Sequence, residues 1–64
     1  MTEVGKIRMA VRYIVLHLNE YHNIDELKKI LFEYYYKLPD TGDGIIVRAM
    51  ILSVYNLACQ VMIE

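Results

Sequence analysis

The stretch Ile45–Ile63 reads IIVRAMILSVYNLACQVMI, nineteen residues carrying one formal charge, Arg48. On a helix advancing about 100° per residue, Ala49, Ser53, Asn56 and Gln60 share one narrow stripe, which Glu64 continues. The remaining arc, roughly two-thirds of the circumference, is almost wholly apolar. A helix of this kind must be covered on more than one side, and the rest of the chain is read first as its cover.

The stretch is long enough to cross much of a bilayer core, at about 1.5 Å per residue. Its pattern argues otherwise. Arg48, Asn56 and Gln60 interrupt it, its polar residues share a face instead of gathering at the ends, and no Lys or Arg follows it as a flank. The expectation is a core helix and no membrane.

The whole chain has 64 residues, which is one small domain, yet 56% of them are hydrophobic. A chain of this size buries only about 60% of its unfolded surface and commonly needs a staple. With Cys59 alone, no disulfide can form within the chain. Burial of apolar surface between copies supplies what a staple would, so a homodimer is expected. A net charge of −1 gives little general attraction to nucleic acid or anionic lipid. The first residues, MTEVGKIRMAVRY, lack the order of a signal peptide, and the lone cysteine suits a reducing compartment. A cytoplasmic location is expected.

Upstream of the long apolar stretch, the periodicity predicts two further helices. Val4, Ile7, Val11, Ile14, Leu18 and Tyr21 recur at spacings of three and four, with Thr2 as N-cap, giving a helix over residues 2–21. Met9, Tyr13 and Leu16 fall on its back. Asn23 caps a restart, and Ile24, Leu27, Leu31, Tyr34 or Tyr35, and Leu38 form the seam of a second helix over 24–38. Pro39 stops it by pushing the preceding residue out of helical geometry. The loop Pro39–Gly44 then leads, capped by Asp43 or Thr41, into a third helix over 44–63. The expected fold is all-α: a three-helix bundle with the third helix central, associating as a helical homodimer.

That third helix carries two apolar seams. Val47, Met50, Val54, Leu57 and Val61 are expected to fill the core within the chain. Arg48, Leu52, Tyr55, Cys59 and Met62 have the mixed aromatic, Arg and Met character enriched at interfaces, and are the expected dimer contact.

Two short motifs resemble known ones. Leu38-Pro39-Asp40-Thr41-Gly42 matches the LPXTG motif of sortase substrates, but neither a basic tail nor an export signal accompanies it. Asp40-Thr41-Gly42 resembles the triad of retroviral-type aspartic proteases, which lies between strands, whereas both flanks here are helical. A helix stop followed by a capped restart accounts for all of these residues.

Chemistry-bearing constellations are sparse. His17 and His22 are too far apart around a helix to chelate one ion, and Cys59 has neither beside it in sequence. Glu26 and Glu33 fall on the exposed side of the second helix, and Ser53 has no base nearby. The sequence offers no glycine-rich phosphate loop. Neither enzyme activity nor a cofactor or metal is expected. Two surfaces remain for recognition: Lys28, Lys29, Phe32 and Tyr36 on the second helix, and the basic side of the first, with Arg8 and Arg12. Basic residues interleaved with aromatics can stack on single-stranded nucleic acid, yet Asp25 and Glu26 stand where phosphates would approach. The function expected is therefore a small interaction protein, an adaptor, inhibitor or regulator that docks on a partner protein. This profile is common among phage- and virus-encoded regulators. The alternative is a small DNA- or RNA-binding regulator.

Overall fold

The computed structural model describes residues 2–62. Among them are three α-helices and no strand: α1 (Glu3–Leu16), α2 (Ile24–Lys37) and α3 (Asp43–Met62). The chain is all-α, as its periodicity predicts.

The local signals act where the sequence places them. Thr2 stays extended and its hydroxyl accepts the Gly5 amide at 3.0 Å, opening α1. The Asn23 side-chain oxygen accepts the amides of Asp25 and Glu26, at 2.9 and 3.3 Å, opening α2. Leu38, before the proline, is extended at φ −80°, ψ 142°, which ends α2 at Lys37. Asp43 is the first residue of α3 instead of its cap, and its carboxylate sits at the positive end of the helix dipole.

Two boundaries differ from the sequence reading. The α-helical part of the first helix ends at Leu16, not at residue 21, because His17 leaves helical geometry at φ −116°, ψ 23°. The chain then tightens into a 3-10 turn over Leu18–Glu20. Leu18 still reaches the core from that turn, so the seam survives the change of helix type. At the other end, Ile63 and Glu64, expected to finish α3 and its polar stripe, lie outside the described residues.

α3 is the central helix. It packs on both α1 and α2, and those two touch each other far less. The core takes Ile7, Val11, Ile14 and Leu18 from the first helix and its turn, Leu27, Leu31 and Leu38 from the α2 region, and Val47, Ile51, Val54 and Ala58 from α3. Val4, Tyr21, Ile24, Tyr34 and Tyr35 pack around its edge, so the expected seams of the first two helices are the ones buried.

The α3 seam is rotated from the expected one. Val47 and Val54 are buried as expected and Met50 is half-buried, but Leu57 is 43% and Val61 54% exposed. Their places are taken by Gly44, Ile51 and Ala58, all buried. Gly44 admits the loop that leads into the helix: a Cβ there would stand 2.2 Å from the Pro39 carbonyl oxygen. The preceding turn needs Gly42 at φ +58°, in the left-handed region that glycine adopts without strain.

Candidate interaction surface

The rotation of α3 turns its mixed seam toward α2. Arg48, Tyr55 and Cys59 are half-buried, so the chain itself covers much of what a dimer was expected to cover. Met62 is also half-buried and packs on the core, which leaves Leu52 as the exposed member of that seam.

Tyr55 meets Phe32 edge-on, with ring centroids 5.7 Å apart at 70°. Phe32 in turn packs against Tyr35 at 5.6 Å and Tyr36 at 6.3 Å, and those two tyrosines meet each other at 5.5 Å and 86°. A cation stands at each end of this aromatic row. The Lys28 ammonium lies 5.9 Å from the Tyr55 ring centre, and the Arg48 guanidinium 4.8 Å from that of Tyr35. The edge-to-face geometries are those the ring quadrupoles favour, each worth about 0.5–1.5 kcal/mol beyond area burial.

The two cations differ in how far they are engaged. Arg48 donates to the Asp40 carboxylate and to the Leu38 carbonyl, both at 3.1 Å, so it is tied to the α2–α3 loop. Lys28, beside Lys29, borders an open concavity of about 410 Å³ that Asp25, Phe32 and Tyr36 also line. Tyr36 is 76% exposed and forms its aromatic wall. Hydrogen bonding with the Cys59 side chain, one turn along α3, and partial burial hold the Tyr55 phenol above its ordinary range. Tyr55 is therefore neutral at physiological pH.

The two surfaces that the sequence reading kept apart thus partly coincide. Lys28, Lys29, Phe32 and Tyr36 adjoin Tyr55 and Arg48 on one face of the α2–α3 pair. The missing signal was tertiary, since nothing in local spacing shows that Phe32 meets Tyr55. The first-helix arginines do not join this face. Arg8 lines a separate concavity with Asp43, Ile46 and Val47, and Arg12 is exposed elsewhere on α1. Ile46 and Tyr55 are nine positions apart, about 180° around the helix, so Arg8 and the aromatic row lie on opposite flanks of α3. Of the two histidines, His17 stacks on Tyr13 and pairs with Glu20 at 2.5 Å, while His22 is exposed.

No protein-family model matches the chain, and neither the curated proteins nor the solved structures contain a match to it.

Proposed function

We propose that this chain is a small, cytoplasmic helical interaction protein that self-associates and docks on a partner protein, acting as an adaptor, inhibitor or regulator without catalysis of its own. The aromatic and cationic face of α2 and α3 is its recognition surface. One observation carries this reading: Tyr36 stands three-quarters exposed on a packed aromatic row, beside Lys28 and Lys29. Exposed tyrosines backed by packed aromatics are characteristic anchors of protein interfaces, because they present large area with little rotamer entropy to lose. A free Cys59 suits the reducing interior of a cell.

The second reading is a nucleic-acid-binding regulator, favoured by the lysines beside Phe32 and Tyr36. The structure gives it less support than the sequence did. Asp25 lies within the same concavity, Arg48 is already paired with Asp40, and Arg8 is across α3. Titration with single- and double-stranded nucleic acid at low salt, followed by a salt series, separates the two. The protein-docking reading expects only weak binding that physiological salt abolishes. Salt-resistant binding that is lost in Tyr36→Ala selects the nucleic-acid reading instead.

A further inference from the structure

α3 shows solvent a face that the fold leaves bare and that differs from every other exposed apolar patch. Ala49, Ser53, Asn56 and Gln60 run down its middle, all exposed. Ile45 and Leu52 form a ridge on one side, and Ile46 and Leu57 a ridge on the other, each between 42% and 60% exposed. Among the described residues, neither the stripe nor its two ridges carries a charged side chain, although Arg8 and Asp43 border Ile46 from outside. Arg48, the one charge between Ile45 and Met62, is turned away to the loop and paired with Asp40. The back of α1, by contrast, sets Met9, Tyr13 and Leu16 among arginines, and the aromatic face of α2 carries two lysines.

We infer that a second copy of this chain covers the outward face of α3, the two helices crossing about a two-fold axis with Ala49 and Ser53 at the closest approach. This rests on the reading of the chain as self-associating, and it assigns the contact to a face other than the recognition surface. Three features point to a like partner. A two-fold interface must be self-complementary, and a shallow stripe between two ridges is so: each copy can set a ridge into the other's stripe. Among its described residues the stripe and ridges hold no charge of their own by which to select a different protein or to repel a copy. Asn56 and Gln60 each carry a donor and an acceptor, so each can pair with its own copy, which a Lys or a carboxylate cannot do.

α3 is about 30 Å long, so a single helix pair buries an area near the low end for specific interfaces. The dimer is accordingly a reversible one. Lipid is the poorer occupant, although α3 is long and apolar enough to cross a membrane. Hydrocarbon would bury the amides of Asn56 and Gln60 without partners, whereas a second copy satisfies them.

Sedimentation equilibrium of the whole chain tests this, with Ser53→Arg on the outward face, Tyr13→Glu on the back of α1 and Tyr36→Glu on α2. Each variant is first matched to the parent by circular dichroism. The parent should be a reversible dimer. Ser53→Arg should raise its dissociation constant by about a hundredfold or more, because like charges meet across the axis. The two other variants should change it by less than about threefold. Asn56→Asp, nearly isosteric, carries the test if Ser53→Arg does not fold, and should weaken the dimer in the same direction. A monomeric parent overturns self-association and this interface together. A dimer that resists Ser53→Arg, or that dissociates with Tyr13→Glu or Tyr36→Glu, leaves self-association standing and overturns the face. Flotation with phosphatidylcholine vesicles, lost in Ser53→Arg, would make lipid the occupant and overturn it as well.

Discussion

The Arg48 guanidinium donates to the carbonyl of Leu38 at 3.1 Å, tying the second turn of α3 to the residue where α2 ends. A second bond from the same guanidinium reaches Asp40, and its face rests on Tyr35. Loop, helix end and aromatic row are thereby held by one side chain. Because the bonded groups are only partly desolvated, the contribution of this clamp should be moderate.

Arg48→Met keeps the apolar stem and removes both bonds. It should destabilise the fold by about 1.5–3 kcal/mol in urea denaturation. Arg48→Lys should recover less than half of that loss, since one ammonium cannot reproduce the planar fork. Full recovery by lysine would mean that charge alone matters at this position.

Gly44 and Gly42 make a paired test of the loop. A methyl group at Gly44 meets the Pro39 carbonyl at 2.2 Å, so Gly44→Ala must shift backbone, and should cost about 1–3 kcal/mol. At Gly42 there is open space but a positive φ. Gly42→Ala should cost about 1–2 kcal/mol, and Gly42→Asn less, because Asn tolerates left-handed geometry. Thermal melts of the three variants give the order.

The phase of α3 is checked by Ile51→Ala against Leu57→Ala. Ile51 is fully buried and Leu57 is 43% exposed. The first substitution should cost about 2–5 kcal/mol, and the second well under half as much in the monomer. Equal losses would place both residues in the core and restore the seam that periodicity favours.

That contrast shows where the sequence was legible and where it was not. The seam of α1 could be read residue by residue, because Val4, Ile7, Val11 and Ile14 recur at spacings of three and four, while Arg8 and Arg12 lie among Met9, Tyr13 and Leu16 on the back. The starts of α1 and α2 were legible from Thr2 and Asn23, whose side chains bond the amides of the first turn. On α3 apolar residues nearly encircle the helix, so spacing cannot say which arc faces inward. The buried arc there includes Gly44 and Ala58, small residues that hydrophobic patterning overlooks. Lys28, Phe32 and Tyr36, each one turn from the next, were legible as a shared face of α2. Their junction with Tyr55 and Arg48 was not, because it is made by packing between helices.

Leu38–Gly42 has the letters of a sortase motif, but its first residue is anchored in the core while Pro39 to Gly42 are exposed. Leu38 is only 3% exposed, and its carbonyl is held by Arg48. A purified sortase should leave the folded chain intact and act, at most, after denaturation. Efficient transpeptidation of the native protein, followed by mass spectrometry, would show that this segment opens readily.

Docking of a protein on the face that bears Tyr36 remains to be measured. Affinity capture from the native host, with the parent chain beside a Tyr36→Ala, Lys29→Glu double variant and with nuclease present, tests it most directly. A protein should be retained by the parent, lost from the variant and indifferent to nuclease. Retention that nuclease abolishes, or an identical set of proteins on both chains, would contradict it.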